Sequence, residues 1–272
     1  MDPAALTEAE KILGKYPHSF KALYGCARVY MAFGSGSHDP QQLRRALELL
    51  EQSRVLLPQN DDPQISESVL CGNLSSVLFL LGEHEKSLEL LKRNNAGGIF
   101  SSDIGFSLAV YMDRPEDAVP FLSQALLEGL STLLNTVISY VFVFRSRKDW
   151  DSALAVITWG IDLLIGLKTE ARTGFLEKTH AEMLALLSYV QAKAGMPGAS
   201  RDSLGKAAAL ARRFDSMPDY SLKNLRFTDQ ADQAALYDVL GITASDGIAG
   251  LIGLLEDPEM SRQWKEVMSD GQ

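Results

Sequence analysis

The sequence has 272 residues, of which 46% are hydrophobic and 22% charged, which excludes a disordered chain and supplies enough apolar side chains for a large core. Its net charge of -9 places negative potential over the surface, so we expect this segment to bind neither nucleic acid nor an anionic membrane directly. Cys26 and Cys71 lack metal-binding or redox spacing and are expected to be buried free thiols. The sequence shows no N-terminal apolar signal and no apolar run of about 18 residues, so we expect a cytoplasmic protein.

The N-terminal part of the sequence predicts three helices, over about residues 3–15, 18–33 and 40–57. The second and third helices are separated by GSGSHDP, which predicts a flexible loop. The ends of these helices are predicted from capping residues and prolines, namely Asp2, Pro3, Pro17, Asp39, Pro40 and Pro58.

Residues 74–94, LSSVLFLLGEHEKSLELLKRN, organise the rest of the chain. They predict one helix that starts near Gln64, a break at Gly82, and a second helix with an apolar face. Neither helix can bury its apolar face alone. The pair therefore predicts similar pairs stacked on each side.

The middle of the chain predicts further pairs after a loop at 94–98. A short helix over 104–111 pairs with one that Pro115 opens, and Ser131 is expected to cap a separate, nearly all-apolar helix, STLLNTVISYVFVF. Trp150 and Trp159 are expected to fill the stack from the following helix. Two more helices are predicted over about 170–194 and 199–213, on either side of Gly195-Met-Pro-Gly.

Beyond Phe214 the pattern changes. The segment MPDYSLKNLRFTDQ has no period and predicts a structured loop. Three short apolar segments then predict helices that cap the last pair: DQAALYDVLG, GIAGLIGLLE and PEMSRQWKEVM.

A small residue recurs in the second helix of each pair, with a bulky apolar residue four positions later. The small residue lets two helices approach closely, and the bulky one fills the adjacent groove. The five pairs are Ala46/Leu50, Ser87/Leu91, Ala118/Leu122, Ala153/Ile157 and Ser200/Leu204.

On these residues the chain resembles the tetratricopeptide repeat family, best over residues 81–94, LGEHEKSLELLKRN. A second unit matches with about seven extra residues around GSGSHDP, and the third departs at Gly105 and Phe106. The resemblance covers residues 1–213. It implies an all-α, right-handed α-solenoid of about five helical hairpins plus an N-terminal half-repeat, with residues 214–272 forming a loop and capping helices.

A narrower resemblance rests on the tail: a repeat array followed by AAALARRFDSMPDYS, then LYDVLG and EDPEMSRQWKEVM. This order of repeat array and tail is similar to that in the C-terminal domain of bacterial Cro-type helix-turn-helix regulators. That resemblance implies an effector-sensing, dimerising domain. The DNA-binding part is not among these 272 residues.

The resemblance also implies a ligand surface, because the first helix of each pair lines the concave face of such an array. Amides and aromatics there would suit an extended peptide, although any single residue could equally be an ordinary solvated or inter-repeat residue. Family members that bind acidic C-terminal peptides use a lysine and asparagine pair, whereas Tyr24 and Arg28 occupy the matching positions here. The candidate groove residues are Lys21, Tyr24, Arg28, Asn73, Ser76, Phe79, Asp103, Ser107, Asn135, Phe142, Arg145 and Tyr189.

Nothing in the sequence predicts catalysis, a cofactor or a metal. The four histidines are scattered, and His84 is expected to pack. The glycines at 247, 250 and 253 predict close helix packing, and the basic cluster of Lys206, Arg212 and Arg213 is expected to face a helix C-terminus.

We therefore expect a non-enzymatic module that binds a protein or peptide and can form a homodimer, with no membrane role. The alternatives are a general scaffold that uses its convex face, and an enzyme, which a buried site with paired carboxylates or a metal would favour.

Overall fold

The computed structural model describes residues 4–169, 174–229 and 240–269. Over these residues the chain forms twelve α-helices and no β-strand, with one isolated antiparallel bridge between Lys168 and Leu225. The predicted all-α class is confirmed. The expected N-cap at Asp2, the first residues of the helix predicted from 170, and nearly all of DQAALYDVLG lie outside the described residues.

The helix bounds follow the predicted pattern closely at most positions. Two short 3-10 turns cover Leu57–Gln59 and Ala96–Gly98, and a π-helical segment, Ser107–Tyr111, continues directly from the sixth helix. The helices are α1 Ala4–Lys15, α2 Phe20–Ser37, α3 Pro40–Val55, α4 Glu67–Leu80, α5 His84–Arg93, α6 Ser101–Phe106, α7 Pro115–Arg147, α8 Trp150–Leu167, α9 Phe175–Lys193, α10 Pro197–Ser216, α11 Ala244–Leu254 and α12 Pro258–Ser269.

Local chemistry explains several helix ends. Asp39 accepts a hydrogen bond from the Gln41 amide at the start of α3, as a capping residue before a first-turn proline should. Ser66 caps α4 in the same way through the Val69 amide. Gly82 has a φ of +78°, which favours glycine and reverses the chain between α4 and α5.

The flexible loop predicted from GSGSHDP is wrong. α2 continues through Ser37, and only His38, with a φ of 53°, and Asp39 connect it to α3. The glycine has a packing role, because a Cβ on Gly34 would lie 2.7 Å from Leu43 Cγ and 2.9 Å from the Leu43 amide nitrogen. The residues that were expected to form the loop therefore extend α2.

The predicted helix start at Ser131 is also wrong, because α7 runs for 33 residues without a break. Gly129, which would have to reverse the chain there, keeps a helical backbone in open space. α7 and α8 are long and apolar enough to cross a membrane by length and composition, contrary to the expectation from the sequence. This is weak evidence for a membrane span, since a core helix passes the same test.

Residues up to Ala125 form one compact unit, called unit 1. Within it each helix packs on the next one in chain order from α1 to α6. One apolar core spans α1 to α4, and a second joins α4, α5, α6 and the start of α7 through Cys71, Leu88, Ile104 and Ala118.

Residues from Leu126 onward form a second compact unit, unit 2. Its central element is α9, which packs against α8, α10 and α11, while α12 packs on α10 and α11. Most α9 side chains are buried as a result. The sequence predicts a division at residue 213, between the repeat array and the tail, whereas the boundary between the compact units follows residue 125. The predicted division concerns repeats and not compactness, and it stays a prediction.

The repeated small residues take up related positions in both units. Ser75 and Ser87 are twelve residues apart and hydrogen-bond through their hydroxyls at 2.7 Å, and Ser188 and Ser200 do the same at 3.0 Å. Gly34 precedes Ala46 by the same twelve residues. All five predicted small residues are buried, and so are four of their bulky partners, while Leu122 is 41% exposed.

Candidate functional site

A surface groove of about 380 Å³ lies among α4, α5 and α6 of unit 1. Its size falls within the range of ordinary ligand sites. The lining alternates small, hydroxyl and apolar side chains, which leaves room between the helices. The lining residues are Gly72, Ser75, Ser76, Phe79, Leu80, Ser87, Leu91, Asp103, Phe106 and Ser107.

The floor of the groove is made by Ser75 of α4 and Ser87 of α5. Besides their mutual hydrogen bond, the Ser87 hydroxyl lies 3.0 Å from the Ser75 carbonyl oxygen, so the two buried hydroxyls satisfy each other within the hairpin. Two serines in place of larger side chains hold α4 and α5 close together. The floor is therefore fixed by the hairpin itself.

Four aromatic rings form what we call the aromatic rim: Phe79, His84, Phe106 and Tyr111. The Phe79 ring centroid lies 4.7 Å from His84 and 4.5 Å from Tyr111, and Phe106 lies 5.5 Å from Tyr111, all edge-on. Phe106 and Tyr111 are each about half exposed. The π-helical turn after Phe106 brings together these two rings, which are five residues apart, and such turns are frequent at functional sites.

The charge of the groove comes from Asp103, an exposed residue on α6. Next to the aromatic rim, Glu83 pairs with Lys86 at 2.6 Å and Glu85 with Arg114 at 3.6 Å. None of the ion pairs seen in the described residues involves Asp103. The groove therefore presents one carboxylate without an ion-pair partner among the described residues.

The structure places the eight predicted residues of unit 1 in three groups. Ser76, Phe79, Asp103 and Ser107 all line the groove, although Ser107 is largely buried. The second group is a contact between α2 and α4, in which the Asn73 amide donates to the Tyr24 hydroxyl at 3.1 Å, and the Tyr24 side chain is buried. The remaining two, Lys21 and Arg28, are exposed on α2.

The predicted residues of unit 2 also separate into two groups. Asn135 is exposed on a polar face of α7. Arg145 donates to the Tyr189 hydroxyl at 3.0 Å and to the Leu255 carbonyl at 2.6 Å, and it lies 5.8 Å from the Phe142 ring centroid. Because Leu255 is the C-cap of α11, Arg145 holds a helix end in place.

Sequence reasoning did not select the aromatic rim beyond Phe79. Phe106 appeared only as a departure from the repeat pattern, and Tyr111 only as the end of a short helix. The available signal was the three-residue spacing of Phe106 from Asp103, which puts these two residues on one helical face. The π-helical turn that brings Tyr111 to Phe106 has no signal in the spacing. The expected packing of His84 is confirmed by its ring contacts.

Trp159 does not fill the stack as predicted, because it is half exposed. Together with Tyr140, Phe144 and Val156 it lines a nearly apolar surface on α7 and α8 that we call the outer patch. Trp150 is partly buried and contacts Tyr189 edge-on. The expected packing role therefore applies to Trp150 alone.

Unit 2 buries several charges around α9. Lys178 pairs with Glu182 at 3.1 Å, with both side chains buried, and the buried Glu177 pairs with Arg213 of α10. Two buried carboxylates are the feature named above as favouring an enzyme. Each of them, however, contacts a cation of the same unit: the Glu177–Arg213 pair joins α9 to α10, and the Lys178–Glu182 pair lies within α9.

Both cysteines lie in the apolar cores of unit 1. Cys26 and Cys71 are free and buried, as predicted, and burial raises the pKa of both thiols. In the described parts of the chain no three His, Cys, Asp or Glu side chains are grouped to hold a metal ion. The basic side chains at the end of α10 instead contact other helices: Arg213 contacts Glu177, and Arg212 donates to the Val267 carbonyl at 3.1 Å.

No protein-family model matches this sequence, and no curated protein matches it. Among solved structures, the crystal structure of BtubC (BKLC) from P. vanneervenii is similar over 86% of this chain and 94% of its own, with 14% sequence identity and a TM-score of 0.34. At that identity and TM-score the similarity assigns neither a fold family nor a function.

Proposed function

We propose that the chain is a non-enzymatic, tetratricopeptide-like interaction module that holds an extended peptide segment in the groove among α4, α5 and α6. The observation that carries the proposal is the groove itself. Four residues predicted from sequence as ligand contacts line it, above a floor that the Ser75 and Ser87 hydroxyls fix. Rigid hydroxyl and aromatic surfaces of this kind suit main-chain groups and apolar side chains of an extended peptide.

The repeat assignment is part of this proposal. Its support is the twelve-residue spacing of the serine pairs in α4–α5 and α9–α10 and the burial of every predicted small residue. Packing of successive helices from α1 to α6 and from α8 to α12 agrees with it. A right-handed solenoid over the whole array is the arrangement we propose on that basis.

Selection of peptides from a random heptapeptide display library tests the groove, with binding then measured by fluorescence anisotropy. Ser76→Tyr places a large side chain in the groove, and we expect it to weaken binding of the selected peptides by about tenfold or more. Gln52→Tyr adds the same ring at an exposed position of α3 and should leave affinity unchanged. Equal affinity for both variants would contradict the groove assignment.

A narrower proposal is that the module senses an effector for a bacterial helix-turn-helix regulator, in the cytoplasm and as a homodimer. It rests on the resemblance of the tail to that regulator family and on the order of the chain, in which the repeat array precedes the tail. The reading frame upstream of Met1 tests it, because a helix-turn-helix encoded there supports the regulator. An unrelated upstream gene and a monomeric protein in sedimentation count against it.

The outer patch favours a second candidate function, a scaffold that recruits a folded partner. Tyr140 and Trp159 are each about half exposed, and the Tyr140 ring stacks on Phe144 at 5.8 Å. Exposed aromatic side chains are enriched at protein interfaces. Loss of partners from a pull-down with Tyr140→Ser plus Trp159→Ser, but not with Ser76→Tyr, would favour the scaffold.

A further inference from the structure

We infer that the segment bound in the groove carries a basic side chain, arginine or lysine, which lies between the Asp103 carboxylate and the exposed rings of Phe106 and Tyr111. This inference rests on the proposed peptide groove and specifies its ligand. It would make the module a reader of basic segments.

The first observation is the charge at the groove. Asp103 is the groove's one carboxylate, it is exposed, and no cation of the described residues pairs with it. The two glutamates beside the aromatic rim, Glu83 and Glu85, already pair with Lys86 and Arg114. A basic ligand side chain would complement Asp103, whereas an acidic one would be repelled.

The second observation is independent of charge. Phe106 and Tyr111 expose about half of their surfaces beside the groove and are held in place by edge contacts within the aromatic rim. Elsewhere in the described chain, cations lie over the rings of Tyr16, Phe121, Phe142 and Tyr189, but none over these two. Open ring faces attract a guanidinium or ammonium group through the ring quadrupole.

The two features lie on one face of one helix. Asp103 and Phe106 are three residues apart and both exposed, so their side chains project to the same side of α6. The π-helical turn then adds Tyr111 to that face through its contact with Phe106. A side chain long enough to lie along this face can meet the carboxylate and a ring together, which arginine and lysine can do and short polar residues cannot.

The test uses an immobilised library of acetylated and amidated heptapeptides, in which one position at a time is fixed and the others are randomised. The full-length protein should select arginine or lysine over glutamine at one position by roughly five- to tenfold. Asp103→Asn should reduce this preference to about twofold or less while keeping the selection for apolar residues at other positions. Phe106→Leu plus Tyr111→Leu keeps apolar contacts without ring faces and should also lower it.

Asp113→Asn is the matched control. It removes the same charge from an exposed residue with a φ of 52°, a conformation that asparagine accepts, and it does not line the groove. The selectivity of this variant should equal that of the unmodified protein. Equal losses in Asp103→Asn and Asp113→Asn would overturn the inference, because net charge alone would then explain them.

The remaining outcomes separate this inference from the proposed function. Selection of peptides without any preference for a cation, but with sensitivity to Ser76→Tyr, overturns the inference and leaves the groove assignment supported. A cation preference that survives Asp103→Asn also overturns it. The absence of any selected peptide overturns both. Circular dichroism melts of each variant show whether a loss reflects unfolding.

Discussion

At the scale of single residues, Gly247 shows how a buried ion pair restricts its surroundings. A Cβ added at this position of α11 would overlap Glu182 Oε1 and lie 3.4 Å from Lys178 Nζ. Both partners are buried in α9, and moving either one would weaken their 3.1 Å contact. A side chain at this position would therefore have to displace the Glu182 carboxylate, which closely approaches the α11 backbone.

We expect Gly247→Ala to lower the free energy of unfolding by about 1–3 kcal/mol, the usual cost of overpacking. Gly253→Ala in the same helix is the control: a Cβ there meets nothing within 4 Å, so the substitution should raise stability by about 0.5–1 kcal/mol. Urea unfolding of the two variants measures the difference. A gain in both would show that the pair tolerates displacement.

The three glycines of α11 also show what the sequence predicts at the scale of residues and what it does not. Their three-residue spacing predicts close packing for all three, but Gly253 has open space around it. The buried pair that explains Gly247 lies 65 and 69 residues earlier in the chain, in Glu182 and Lys178, and no local pattern connects it to α11. Contacts between residues so far apart in the chain depend on the fold and cannot be predicted from local residue spacing.

At the scale of elements, the helix pairs were predictable wherever turn chemistry is explicit. Asp39-Pro40 and Gly82 mark breaks that the structure contains. The predictions at Gly34 and at Ser131 were wrong because glycine and serine also occur inside helices. Gly34 is there because α3 packs closely against it, whereas Gly129 and Ser131 are exposed residues of a helix that continues through them. The groove could be predicted only in part, since Tyr24 and Tyr189 serve contacts between helices.

The unbroken α7 makes a prediction that separates it from the expected hairpin. Gly129 lies in the middle of the helix, exposed, and a methyl group added there would meet nothing within 4 Å. Gly129→Ala should therefore raise the free energy of unfolding by about 0.5–1 kcal/mol, through helix propensity alone. Denaturant unfolding measures it. A loss of similar or larger size would indicate a reversed backbone at Gly129, as a turn before Ser131 requires.

At the scale of the whole molecule, the two units bury different kinds of polar group. Among the described residues, the buried polar side chains of unit 1 are serines, whereas unit 2 also buries lysine, glutamate and asparagine side chains. His180 belongs to that environment. Burial and the neighbouring Lys168 lower the pKa of His180 to about 4, from an ordinary value near 6.5.

This difference predicts that acid destabilises unit 2 before unit 1. Between pH 6.5 and 4 the unfolded chain binds a proton at His180 that the folded chain does not, so the stability of unit 2 falls as the pH falls through that window. The chain supplies its own probes, because Trp150, Trp159 and Trp264 all lie in unit 2 and Cys26 and Cys71 in unit 1. Tryptophan fluorescence should change at a higher pH than the reactivity of the two thiols toward dithiodipyridine.

His180→Gln is the variant that decides the cause. It removes the titrating imidazole but keeps a side chain of similar length, so the fluorescence transition should move to lower pH while the thiol transition stays in place. A transition that does not move would assign the acid sensitivity to the buried carboxylates of α9. If fluorescence and thiol reactivity instead change together at one pH in both proteins, acid sensitivity is not confined to unit 2, and the contrast in buried charge does not control it.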